Sequence, residues 1–133
     1  GFLSKKKMAE CIEVLKKIGL FINSPDYLVR NLSGGQRQGV AIGRAKYFKA
    51  KLALLVEPTT ALSVKEVRRV LDLVLDFKKA NNAVVFITHN LHHVYDIADR
   101  FLILENGEKV KDIEKDATSV KELTKVLMGK VNV

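Results

Sequence analysis

Two unbroken apolar runs, Leu52-Ala53-Leu54-Leu55-Val56 and Ala83-Val84-Val85-Phe86-Ile87-Thr88, most limit what this chain can fold into. Strict alternation marks a strand with one wet face, whereas continuous hydrophobicity marks a strand covered on both faces by helices, the habit of parallel sheets. Between the runs, Val67, Val70, Leu71, Val74 and Leu75 recur at helical spacing. They predict the inner stripe of a crossover helix, and hence a right-handed β-α-β unit.

The flanking segments extend this reading to an α/β chain. Met8, Cys11, Ile12, Leu15 and Ile18 place an apolar stripe on an opening helix that Gly19 closes, and Asn23-Ser24-Pro25-Asp26 marks a loop. Ser33 is an N-cap for a second helix running to about Ala50, with Val40, Ala41, Ala45 and Phe48 facing inward. A third strand is expected over Phe101-Leu102-Ile103-Leu104, and Asn106-Gly107 is a two-residue hairpin signal that returns the chain through Lys109 to Ile113. Ser119-Val120-Lys121-Glu122 is a capping box for a last helix, with Leu123, Val126 and Leu127 inward and Gly129 at its end. The expected organisation is a helical portion over residues 1–50 and an α/β portion over residues 51–133, without repeats or a flexible linker.

Composition removes several function classes. The 133 residues are 47% hydrophobic, enough to fold around a core. The net charge of +8 is spread among acids, as in Lys65-Glu66 and Lys121-Glu122, which predicts a solvated basic surface and no nucleic-acid partner. Cys11 is alone, cannot form an internal disulfide, and is expected as a buried, reduced thiol in the cytosol. No apolar run approaches the roughly twenty residues that span a bilayer, so any link to a membrane is expected through a partner. The chain opens at Gly1-Phe2-Leu3 without an initiator Met or a signal-peptide pattern, which suggests a piece of a longer or processed chain.

Chemistry concentrates in three places. Leu32-Ser33-Gly34-Gly35-Gln36 sets a small hydroxyl residue and two glycines at the head of a helix, a backbone that can bring bare N–H groups close to a phosphate. No G-x-x-x-x-G-K-[ST] loop accompanies it within these residues. Glu57 follows the first strand at its carboxyl end, where open α/β sheets place ligands and where a carboxylate can orient and deprotonate a water attacking a phosphoryl group. Taken alone, Glu57 is a solvated strand-end acid; its spacing to the other motifs favours catalysis. His89 follows the second strand, on the expected same rim, where it either hydrogen-bonds a terminal phosphate or caps the next helix. His92 and His93 are adjacent on that helix, a poor geometry for one ion, and no ligand set completes them, so no metal site is expected in the chain itself.

Leu32-Ser33-Gly34-Gly35-Gln36, then Glu57-Pro58-Thr59 after an apolar strand, then Ala61-Leu62-Ser63, then Thr88-His89-Asn90, resemble in this order the nucleotide-binding domain of ABC transporters. Gly1-Phe2-Leu3, Val64-Lys65-Glu66 and His92-His93-Val94-Tyr95 look like the single-cassette ATPases of monosaccharide importers. The resemblance covers the whole chain and aligns it with the part of the domain after the glutamine loop. It implies a parallel sheet with flanking helices plus a helical subdomain, lacking the strand into the phosphate loop, the loop itself and the adenine-stacking aromatic. It further implies a head-to-tail pair with a second ATPase domain, completed by an N-terminal half and by transmembrane permease subunits at the inner face of the membrane. Ser33, the Gly34 and Gly35 backbone and Gln36 would then contact the γ-phosphate of an ATP held by the partner. Glu57 would polarise the attacking water, His89 would hold the γ-phosphate in its own half, and Ala61-Leu62-Ser63 would run along the interface. ATP and magnesium would bind only in the complete dimeric site.

Three positions depart from the family pattern. Val56 stands where an Asp supports magnesium, Ser63 where most relatives have Asp, and Gly43 where Ala is usual. Val56 cannot coordinate or hydrogen-bond to a metal shell, which motivates a reading as a degenerate, non-hydrolysing cassette kept as a structural partner. A chromosome-maintenance or DNA-repair ATPase lobe also separates these motifs, but joins its halves by long coiled coils, and no sustained heptads occur here. The chain alone is expected to be inactive and to self-associate through an open sheet edge or an uncovered apolar face. The transported sugar is not legible.

Overall fold

In a computed structural model, the structure describes residues 5–17, 19–22 and 24–129. Gly1-Phe2-Leu3, Ile18 and Asn23, together with the side chain of Met8, lie outside what is described. The chain divides into two compact units, residues 1–87 and 88–133.

The first unit contains the expected β-α-β. Strands β1 (Leu52–Val56) and β2 (Ala83–Ile87) pair in parallel, Leu52 beside Ala83 through Val56 beside Ile87, and α3 (Val64–Lys79) connects them. Helix α3 buries Val67, Val70, Leu73, Val74 and Phe77. At about 100° per residue these five share one stripe, which leaves Leu71 and Leu75 off its centre and half-buried. The sheet is not covered on both faces among the described residues. Ala53 is buried, while Leu54 and Val56 are 66% and 67% exposed and Leu52, Val85 and Ile87 share their open side. Continuous hydrophobicity anticipated two covered faces, and here α3 supplies one.

Helix α1 (Lys5–Lys17) ends where Gly19, at φ 74°, turns the chain left-handed. Its N–H donates to Lys16 O at 2.9 Å and that of Leu20 to Leu15 O at 2.9 Å, the double bond of a glycine-closed helix. Cys11 is exposed rather than buried, because it sits one residue, about 100°, away from the half-buried Ile12 and beside exposed Glu10. Helix α2 (Gly34–Tyr47) buries Gly35, Gly39, Ile42 and Gly43; of the residues expected inward, Val40 and Ala45 are half-buried and Ala41 and Phe48 exposed. The reason is steric. A Cβ on Gly39 would lie 2.5 Å from Leu20 Cδ1, so the glycine face admits a fully buried Leu20, and Phe48 is left outside.

In the second unit, α4 (Leu91–Val94) is a single turn, followed by β3 (Arg100–Glu105) and β4 (Glu108–Glu114) as an antiparallel ribbon. Asn106 and Gly107 both have positive φ, 50° and 83°, as a type I′ turn requires. Ile103 faces Lys111 while Leu104 faces Lys109, so Val110 is an extra residue in a bulge. Arg100 clamps Asp112 with two bonds of 2.6 and 2.9 Å, which holds the Asp112 carboxyl below its ordinary range. Tyr95 stacks on Phe101 at 5.5 Å and donates its hydroxyl to Thr118 O at 3.1 Å. Ser119 and Glu122 form the expected capping box of α5 (Val120–Leu127). Leu123 is its buried residue; Val126 is half-buried and Leu127 exposed, since two turns have room for a narrow contact only. No helix among the described residues is long and apolar enough to cross a membrane.

Candidate functional site

The head of α2 is built by a capping box. Ser33, at φ −62° and ψ 163°, is the N-cap; its Oγ accepts the Gln36 N–H at 3.2 Å, and its own N–H donates to Gln36 Oε1 at 2.9 Å. Gln36 also donates from Nε2 to Phe21 O at 3.4 Å, so its side chain serves the loop as well as the helix.

The two glycines between them face the chain itself. A Cβ on Gly34 would fall 2.6 Å from Leu62 Cδ2, and one on Gly35 would fall 2.9 Å from Glu66 Cγ. Close approach explains both glycines without any ligand. The Gly35 N–H donates to Glu66 Oε1 at 3.3 Å, while Glu66 Oε2 accepts from Ser63 N–H at 3.1 Å and Ser63 Oγ at 3.0 Å. These donors hold the Glu66 carboxyl down to about 2, the Ser63 backbone first, then the hydroxyls of Ser33 and Ser63, then the Gly35 N–H. Ser33, Gly34, Gly35 and Gln36 are therefore brought together with the segment Leu62 to Glu66.

Glu57 lies in a turn at the end of β1. Its N–H donates to Ile87 O at 2.8 Å, carrying the ladder one residue past Val56, and its φ of 45° bends the chain out of the strand. Pro58 and Thr59 are buried beneath this turn, and Thr60 donates its hydroxyl to Glu57 Oε2 at 2.9 Å. Ala61 repeats the left-handed conformation at φ 58°. Two non-glycine residues at positive φ within one short connection are costly, the kind of strain that gathers at working sites. His89 belongs to the second unit, where it is exposed. The N-cap of α4 is Asn90, whose N–H donates to Thr88 Oγ1 at 3.1 Å, so His89 does not cap that helix. Among the described residues no three His, Cys, Asp or Glu side chains approach closely enough to share an ion.

No protein-family model matches the chain. The xylose/arabinose import ATP-binding protein XylG of Sulfolobus acidocaldarius is 46% identical over 136 aligned residues, covering 98% of this chain and 54% of that protein. Among solved structures, a metal-chelate type ABC transporter in an inward-facing conformation superposes with a TM-score of 0.78 at 30% identity, over 96% of this chain and 51% of that one. The chain belongs to the ATP-binding cassettes of ABC transporters.

Sugar-import cassettes are among its relatives. The fructose import ATP-binding protein FrcA of Rhizobium meliloti is also 46% identical, over 72% of this chain and 37% of that protein. A cassette solved as a dimer in a post-hydrolysis state with ADP and Pi superposes with a TM-score of 0.71 at 27% identity, over 86% of this chain and 50% of that one. The chain thus spans about half, or less, of the length of the curated relatives it matches.

Within the cassette, Glu66 is the residue that motif reading passed over. Its signal was present: Ser63-Val64-Lys65-Glu66 is the same Ser-x-x-Glu pattern that marked α5 at Ser119.

Proposed function

We propose that this chain carries the signature loop and the water-activating glutamate of an ATPase that drives sugar import. The single observation that carries the reading is Glu57 at the carboxyl end of β1, displayed on a strained turn, in a chain whose glycine loop heads a capped helix. The names of the relatives, import ATP-binding proteins for xylose/arabinose and fructose, support the substrate class. In this reading Ser33, Gly34, Gly35 and Gln36 face the γ-phosphate of an ATP held by a second cassette, and Glu57 orients the attacking water. His89 hydrogen-bonds the γ-phosphate on its own side. The partners are that second cassette, the segment carrying a phosphate loop, and permease subunits that hold the assembly at the cytoplasmic face of the membrane.

ATP and magnesium fit the chain only in part. At the head of α2 the Ser33, Gly35 and Gln36 N–H groups and the Ser33 hydroxyl are engaged within the chain and would exchange those partners for a phosphate; Glu57 offers a carboxylate, but Val56 presents an apolar, exposed side chain where a magnesium ligand is expected. Calorimetric titration of the 133-residue chain with ATP tests the division of labour. No sub-micromolar binding is expected, because the chain contains no phosphate loop; tight binding would refute the reading.

Val56 supports a second reading, a cassette that has lost hydrolysis and serves as a structural partner. Val56→Asp in the assembled transporter separates the two. Hydrolysis rising about tenfold or more marks Val56 as a lesion, and an unchanged rate shows that the site works without that carboxylate.

A further inference from the structure

We propose that Glu66 is the positioning residue of the glycine loop: its carboxylate ties Gly35 to the first turn of α3, so that residues 33–35 and 61–63 keep one geometry. The proposal rests on the functional reading only for what the loop is positioned toward. The two carboxylate oxygens divide the work. Oε2 accepts from Ser63 N–H and Oγ and caps its own helix, whereas Oε1 reaches the N–H of Gly35, thirty-one positions earlier in the chain. Capping alone does not require that second reach. In α5 the same box uses Glu122 Oε2 for both Ser119 N–H and Thr118 Oγ1, bonds that stay within one turn.

The glycines fit the same purpose. Gly35 is buried with no room for a Cβ beside Glu66 Cβ and Cγ, and Gly34 is closed by Leu62 from the same segment. A carboxylate fixed at one end by a helix cap and meeting a backbone that cannot back away is a rigid strut. Its partners, the Ser33 hydroxyl and the Gly35 N–H, belong to the loop that the functional reading turns toward a phosphate, and by donating to Glu66 they fix the path of that loop. Loss of the strut would leave the loop in place in the sequence but without a fixed path.

Amide hydrogen exchange of Gly35 in the 133-residue chain, read by NMR, tests the strut directly, with the amides of the β1–β2 ladder, in the same unit as Gly35 and Glu66, reporting that each variant is folded. Glu66→Ala is expected to speed Gly35 exchange about tenfold, while Glu66→Gln, whose amide oxygen still accepts, stays within about threefold of the parent. Ser63→Ala removes the cap hydroxyl but keeps the Ser63 N–H on Oε2 and the Gly35 N–H on Oε1, so Gly35 exchange should speed by no more than about threefold, less than in Glu66→Ala. Unchanged exchange in Glu66→Ala, or equal acceleration in Ser63→Ala, overturns the proposal. In the reconstituted transporter, Glu66→Ala should raise the KM for ATP about tenfold with kcat within about twofold, and Glu66→Gln should restore it. A lowered KM in both variants would mean that the carboxylate repels phosphate, which also overturns the proposal. If the parent assembly hydrolyses no ATP, the functional reading fails on its own, and Gly35 exchange still decides the role of Glu66.

Discussion

Glu57 and Glu66 stand at the two ends of one short connection, yet the chain treats them in opposite ways. Glu66 is in relaxed helical backbone with its carboxylate committed to Ser63, Ser33 and Gly35, and those donors pull its titration far below the ordinary range. Glu57 sits at φ 45°, a conformation that a glycine would adopt at no cost, with Thr60 steering its carboxylate. The difference teaches how a fold separates support from chemistry. Glu66 is satisfied and unstrained; in the proposed reading Glu57, the group kept for reaction, is held in place at the expense of its own backbone.

The largest effect that sharpens this contrast is on hydrolysis. Glu57→Gln in the assembled transporter should lower kcat by about 10²- to 10⁴-fold, the usual worth of a general base, while thermal stability shifts by no more than about 0.5 kcal/mol. A rate within tenfold of the parent would remove Glu57 from the chemistry. Gly35→Ala should act the other way, on stability: its Cβ would lie 2.9 Å from Glu66 Cγ, and overpacking of that kind costs about 1–3 kcal/mol. Denaturant melts of the chain measure it, and an unchanged midpoint would show that the strut yields without strain.

The sequence was most legible where local chemistry decides the outcome. Ser33, Ser119 and the Asn106-Gly107 pair specify caps and a turn through a few neighbouring atoms, and each is found as read. It was least legible where a missing side chain does the packing. Hydrophobic periodicity scores Val40 and Phe48 and gives Gly35 and Gly39 no weight, although the glycine face is the one that meets Leu20 and Glu66. The open side of β1, from Leu52 through Val56, is a related case: continuous apolarity says that both faces can be covered, not what covers them. Around the candidate site, Ser33, the glycines and Glu57 were visible as motifs. Glu66 was passed over, and its Ser-x-x-Glu spacing marks a cap at most, because its reach to Gly35 depends on how α2 meets α3.

The smallest expected effect is also the most specific to the contrast, since it isolates the charge on Glu66. Its carboxyl ordinarily titrates near 4.5 and in the fold is held at about 2. The folded state therefore prefers the anion, and the contribution is complete above about 4.5 and lost as pH falls toward 2. No cationic side chain is among the groups that hold it; they are the Ser63 and Gly35 N–H groups and the Ser33 and Ser63 hydroxyls, which do not titrate in that window. Glu66→Gln keeps an acceptor and a capping residue but has no proton to gain. Between pH 4.5 and 2 its stability should fall less steeply than that of the parent, and above about pH 5 the two slopes should coincide. Denaturant midpoints measured across that range decide it, and parallel curves throughout would mean that the carboxylate gains nothing from folding.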